Sequence, residues 1–320
     1  MKNTGELLQQ PDQYEVDDNP NNQTKDNDNI VERTESNSEP LVNTRTSLSS
    51  SSIPNSRSEI TLPRDNSTGR IITIERFDTE ENYRSKPEAI ELFIPQRDIG
   101  EEAVVVWDAA LVLAYYLEKH QNDLGLSKSN RGCAPLHVVD VGAGTGAVGL
   151  TAAALGANVT LTDLDRFIPL LEEGISANCN LFGTCEPTSD PKFRFIRALP
   201  LNWGNAADIR NICKKSDNGV GGPPDLIVVS DCVYYEASIA PLIFTLRELA
   251  SSGKHSVPIL LSYEVRDYSP EKKRVKEAFF ALAQRYFTIK EVPTEDCHSE
   301  YSSDDIKVIK MLLLPAKDKE

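Results

Sequence analysis

The chain has 320 residues, enough for one large domain or two small ones, and its formal net charge of −15 argues against a protein that coats nucleic acid. No apolar run is long enough to span a bilayer, and no amino-terminal signal pattern is present. The six cysteines form no C-x-x-C pair and the four histidines no H-E-x-x-H spacing, so free thiols in a reducing compartment and no metal site are expected.

Residues 1–68 hold one aromatic, Tyr14, and are rich in Asn, Ser, Asp and Glu. Such a segment cannot bury enough apolar surface to offset chain entropy and reads as a disordered acidic tail. Its serine run, Ser47–Ser52, is either a phosphorylation tract or an inert solvated stretch. Order is expected from near Arg70, where Ile71–Ile74 and Ala89–Ile94 read as paired strands opening a single domain over 69–320. A helix follows from Trp107 to Leu117.

Residues 138–165, VVDVGAGTGAVGLTAAALGANVTLTDLD, are the most informative part of the chain. Val138 and Val139 begin a buried strand that ends at Asp140. Gly142, Ala143, Gly144 and Gly146 form a tight turn where a ligand can approach the main chain. A helix over Thr145–Leu155 stops at Gly156, and a second strand, Asn158–Thr162, leads to Asp163. The unit fits S-adenosylmethionine, a dinucleotide, or a tight turn with no ligand, because G-x-G-x-x-G alone is a weak signal. Asp140 favours the first: it can accept a hydrogen bond from the ammonium of the methionine moiety, where a pyrophosphate would be repelled. The D-x-G-x-G-x-G turn also resembles the motif of seven-β-strand methyltransferases.

Further strands are expected near 193–199, 225–230, 258–264, 286–292 and 306–313, with helices near 165–180, 205–214, 238–250 and 270–284. This alternation gives a doubly wound, mostly parallel seven-stranded α/β sheet that closes on an antiparallel hairpin. Ligands in such sheets bind beyond the carboxyl ends of the strands. Asp140, Asp163 and Asp231 all fall there. Asp231 opens the string DCVYYE, and Tyr234 three residues on can reach the same pocket. The alternative reading makes Asp231 a helix cap and Tyr234 a core residue.

Here a family resemblance becomes specific. VVVWDAA at 104–110, GTGAVGL at 144–150, TDL at 162–164, DCVYYE at 231–236, SYEVR at 262–266 and EYSSDDI at 300–306 resemble the seven-strand, D-x-x-Y family of non-histone protein lysine methyltransferases, over about residues 70–315. The resemblance implies a lysine N-methyltransferase that uses S-adenosylmethionine. The cofactor contacts carried over are Trp107, Gly142, Ala143, Gly144, Asp163, Trp203 and Ser230, beside Asp140 from the reading above. Asp231 and Tyr234 are the catalytic pair, with Asp231 capturing and orienting the amine. The implied partner is valosin-containing protein, the hexameric AAA ATPase; a chaperone, an elongation factor, a small molecule or nucleic acid are the other acceptors considered. A scaffold that binds the cofactor without catalysis is the reading from another class. A cytoplasmic, also nuclear, monomer is expected. Two positions depart from the family: Asp140 stands where close relatives often have Glu, and the tail is longer.

Overall fold

A computed structural model describes residues 69–77, 87–97, 101–126, 134–182, 194–216, 219–253 and 255–315. The expected disordered tail lies outside them. The first element is an antiparallel hairpin of β1 (Gly69–Arg76) and β2 (Glu88–Pro95), with Ile72 opposite Leu92. Ile72, Ile74, Ile90, Leu92 and Ile94 are buried, as period-2 alternation requires of one face.

An isolated hairpin has two open edges whose backbone groups need partners. Here buried side chains supply them. The carboxylate of Glu118 accepts from the Glu75 N–H at 2.6 Å, and Gln121 bridges the Phe77 N–H and the Glu75 carbonyl. On the other strand, Asn178 accepts from the Phe93 N–H at 2.9 Å and donates to the Phe93 carbonyl at 2.7 Å. This use of Asn178 interrupts the helix expected over 165–180. The segment divides into a 3-10 turn (Asp165–Phe167), α3 (Ile168–Ala177) and α4 (Cys179–Phe182), with Asn178 at the break.

Helix α1 (Asp108–Lys119) is buried at every residue from Ala109 to Glu118. It lies against the main sheet, whose spatial order is β5-β4-β3-β6-β7-β9-β8. In chain order these strands are β3 (His137–Val141), β4 (Asn158–Asp163), β5 (Ile196–Pro200), β6 (Leu226–Ser230), β7 (Ile259–Glu264), β8 (Phe287–Glu291) and β9 (Ile306–Leu313). Strands β5, β4, β3, β6 and β7 are mutually parallel; β9 enters antiparallel between β7 and β8. The expected seven-stranded fold with a closing hairpin is therefore present.

Alternate residues of the central strands serve two cores. Val138, Leu161, Val228 and Leu260 face one core with α1 and α2 (Ala147–Leu155). Val139, Ile227, Leu261 and Met311 face the other with α5 (Ala206–Cys213), α6 (Glu236–Ala250) and α7 (Pro270–Ala283). Burial on both faces explains why these strands are continuous apolar runs. Helix α2 is enclosed at all its positions, which accounts for its small residues. The loop carrying EYSSDDI is tied down by Tyr301, which stacks on Tyr115 of α1 with ring centroids 3.6 Å apart. Among the described residues, no helix is long and apolar enough to cross a membrane.

Candidate active site

The carboxyl ends of β3, β4, β6 and β7 meet at one edge, and the glycine turn lies at its centre. Gly142 and Gly144 hold φ of +69° and +56°, the left-handed region that favours glycine. Each is also pressed from outside. A first side-chain carbon at Gly142 would sit 2.7 Å from the Cys232 sulfur and 2.8 Å from Cζ2 of Trp203. At Gly144 it would sit 3.0 Å from the Ala103 carbonyl oxygen. The turn is therefore packed between the segment after β5, the segment after β6 and the chain that leads into α1.

Asp163 ends β4 with its carboxylate folded back on this turn. One oxygen accepts from the Gly144 N–H and the other from the Leu164 N–H, both at 2.8 Å. A carboxylate oxygen offers two lone pairs, so each retains capacity for a further donor. Burial pushes its pKa up, and the bonds from Gly144 and Leu164 act against that. Ala143 is nearly enclosed, and its N–H donates to the Thr162 carbonyl.

Asp140 does not join this surface, contrary to the sequence reading. It is wholly enclosed, 0% exposed, with Oδ2 accepting from the Gly149 N–H at 2.9 Å. The side chain pins the first turn of α2 to the sheet and is closed off from the surface of the edge. Its other oxygen, Oδ1, is buried without a partner, and burial raises the carboxyl to about 7. Asp140 thus packs the helix against the sheet.

The second constellation centres on Asp231. It is the one non-glycine residue among those described with positive φ, at +51°. Its carboxylate is held in a two-pronged pair with Arg266, Nη1 to Oδ1 at 2.8 Å and Nη2 to Oδ2 at 2.5 Å. The Glu264 N–H also reaches Oδ1 at 3.3 Å, and Arg266 makes a further bond to the Glu264 carboxylate at 2.7 Å. Asp231 is therefore already paired and does not stand as a free carboxylate awaiting a lysine. Tyr234 is half-buried, and its hydroxyl makes no hydrogen bond to the described residues; burial raises its pKa. Ser230 ends β6 beside them, opposite Ser262. Ser262 in turn donates to the Ala109 carbonyl at 2.7 Å and so fixes the start of α1.

Trp107 and Trp203 take different places. Trp203 is half-buried against the glycine turn, where one face can flank a planar ring. Trp107 is 40% exposed, with the Arg266 guanidinium 5.9 Å from its ring centre. Its Nε1–H donates to the Glu102 carbonyl at 2.7 Å, and the Glu102 side chain accepts from the Tyr235 hydroxyl at 2.9 Å. A short 3-10 turn, Glu102–Val104, is thereby fastened across the site from Gly144 to Tyr235. Sequence reasoning missed Glu102, Tyr235, Cys232 and Arg266. Only Arg266 left a signal, its place just after a strand at the carboxyl edge.

The edge suits a cationic cofactor with a ribose. Asp163 offers acceptors for hydroxyls beside a turn in which Gly142 and Gly144 leave the main chain bare. Comparison with known proteins agrees. Residues 86–286 match the family described as lysine methyltransferase. The mouse protein N-lysine methyltransferase METTL21A is 35% identical over 199 residues, 61% of this chain and 75% of that protein. The Xenopus tropicalis METTL21A is 32% identical over 221 residues, 69% of this chain and 85% of its own. The mouse protein-lysine methyltransferase METTL21E is 34% identical over 144 residues, 45% of this chain and 50% of its own. Among solved structures, magnesium protoporphyrin IX methyltransferase from Synechocystis with bound SAM covers 65% of this chain and 80% of its own at 14% identity and a TM-score of 0.40, too distant to carry an argument. On the family match and the length of the shared sequence, the chain belongs to the lysine methyltransferase family.

Proposed function

We propose that the chain methylates the side-chain amine of a lysine in a non-histone protein, and that valosin-containing protein, the AAA ATPase, is that substrate. The observation that carries the reading is the carboxyl edge itself. Asp163 is bound to the glycine turn beside Trp203, and the paired Asp231 adjoins it, in a chain of the lysine methyltransferase family. The support for the ATPase is the set of strings DCVYYE, SYEVR and EYSSDDI.

S-adenosylmethionine supplies a methyl group made electrophilic by its attachment to a sulfonium. The protein's part is to bind, align and exclude water. Asp163 receives the ribose hydroxyls on its remaining lone pairs. The backbone of Gly142–Gly144 offers a face without side chains, and Trp203 flanks the adenine. Trp107, Ser230 and Tyr234 border the place where the acceptor arrives, with Tyr234 held as a neutral phenol by burial. The acceptor nitrogen must arrive as a free amine. A free lysine has a pKa of about 10.4, so only about one in 2,500 is neutral at pH 7.

The test uses labelled S-adenosylmethionine with purified valosin-containing protein and, in parallel, with total soluble protein. Labelled methyl-lysine on the ATPase is the expected result. Label on another protein would remove the ATPase as substrate. Label on no lysine would remove the activity.

A further inference from the structure

We propose that Arg266 is a positioning residue for methyl transfer: by pairing with both oxygens of Asp231 it cancels that charge and admits the acceptor lysine as a neutral amine. The proposal rests on the lysine-methyltransferase reading and adds to it the charge state of the bound acceptor.

The geometry carries it. A bare carboxylate at the end of β6 would hold a lysine as an ammonium, whose nitrogen has no lone pair to give. In the structure that carboxylate is not bare. Both of its oxygens are bonded to Arg266, and a backbone N–H adds a third donor. The pair is well enclosed, with side-chain exposure of 14% for Arg266 and 7% for Asp231, so solvent screens it little. Asp231 also keeps a strained left-handed backbone to stay in this position, a kind of strain that gathers at functional sites.

The surrounding charges make the guanidinium decisive. Glu264 ending β7 is bonded to Arg266, Asp108 at the start of α1 and Asp305 before β9 lie near Glu264, and Tyr268 lies near Arg266. On the cofactor side stand Asp163, Cys232, Tyr234 and Glu102. The Lys272 ammonium is held at the Tyr234 carbonyl and over the Tyr235 ring, and its charge acts on Glu102. Arg266 is thus the cation set among carboxylates. Burial works against its charge, but its bonds to Asp231 and the charges of Asp231 and Glu264 outweigh that and push its pKa up. Without it, the charge of Asp231 would stand unpaired beside the entering amine and favour its ammonium form. With it, Asp231 keeps a spare lone pair on Oδ2 to orient an amine N–H without demanding a cation. The lysine leaves its proton in solvent and its nitrogen lone pair forms the bond to the methyl carbon. The carbon–sulfur electrons return to sulfur, and the methylated ammonium later releases a proton to water.

The test is single-turnover methylation with enzyme in excess over labelled S-adenosylmethionine, total soluble protein as acceptor and methyl-lysine counted after hydrolysis, from pH 6 to 10. Arg266→Met is expected to move the rising limb about one to two pH units alkaline, with the rate recovering at high pH. Arg266→Lys keeps the charge but not the fork, so its limb should stay in place while the rate falls about tenfold. Asp231→Asn with Arg266→Met removes both charges and should return the limb to the wild-type position, which also serves if Arg266→Met alone does not fold. An unmoved limb in Arg266→Met, or a double variant no different from it, would overturn the proposal. A wild type that forms no methyl-lysine would instead overturn the activity on which it rests.

Discussion

At the scale of single residues, the three aspartates of the carboxyl edge have different tasks. Under the proposed function Asp163 would hold the cofactor ribose, so Asp163→Ala is expected to weaken S-adenosylmethionine binding by about 1.5–3 kcal/mol, the value of hydrogen bonds to a charged group. Asp231→Ala should bind the cofactor near normally and lose methyl transfer by about a hundredfold or more, because a misplaced acceptor forfeits its proximity advantage. Titration calorimetry beside single-turnover rates separates the two, and a normal rate in Asp231→Ala would reduce this residue to a backbone feature. Asp140 belongs to stability. Burial lifts its carboxyl to about 7, so as pH rises from 4 to 7 the unfolded chain sheds this proton first and the fold loses stability. His137, bonded to Thr160 Oγ1 at 2.9 Å, slopes the other way. Burial lowers it to about 4, so its contribution is lost as pH falls from about 6.5 to 4. Asp140→Asn removes the first slope only. The variant should exceed the parent by about 2–4 kcal/mol at pH 8, with a smaller gap at pH 5, as read by urea denaturation. An equal gap at both values would show that Asp140 is ionised throughout.

Elements decided what could be read from the sequence and what could not. The turn from Asp140 to Gly149 and the acid at the end of β4 were legible because chain neighbours build them. A strand, three glycines and a small-residue helix can fold together in few ways. Asp231 was legible by position alone, since the alternation of strands and helices puts it at the carboxyl edge. Its partner was not. Arg266 meets Asp231 only because β6 and β7 are adjacent and in register, Ser230 opposite Ser262. Single-residue periodicity cannot show which strands are neighbours. Asp140 was misread for a related reason: an acid at a strand end points to the ligand or beneath the turn according to packing that only the three-dimensional fold reveals. The turn Glu102–Val104 left no signal, being three residues without period. It makes a direct expectation. Glu102→Ala removes the bond from Tyr235 and should loosen the strand of chain over Gly144. With Trp203→Phe as background, the fluorescence of Trp107 should then become more accessible to a soluble quencher, and cofactor dissociation should quicken. Unchanged quenching would mean that Ala103 is held by packing alone.

For the whole molecule, the described residues contain the complete seven-stranded sheet, its two cores and the hairpin docked on α1 and α3. Residues 1–68 lie outside the described residues and carry one aromatic, Tyr14, among many Asn, Ser, Asp and Glu. A chain begun at Gly69 is therefore expected to keep its melting temperature within a few degrees and its cofactor affinity within about twofold; a change of ΔG near 1 kcal/mol would shift a domain of this size by about 2–4 °C. A larger fall would show that the amino-terminal segment docks on the domain. The position of β9 has a consequence of another kind, for the order of events during synthesis. Among the described residues it is the last strand in the chain, yet it lies inside the sheet, between β7 and β8. While a ribosome is still translating it, β7 carries an open apolar edge and β8 has no partner, so the sheet cannot close until residue 313 has left the exit tunnel. Nascent chains are thus exposed to strand-edge association until β9 has emerged. A chain terminated after Asp305 should collect in the insoluble fraction of expressing cells, whereas one terminated after Pro315 should remain soluble.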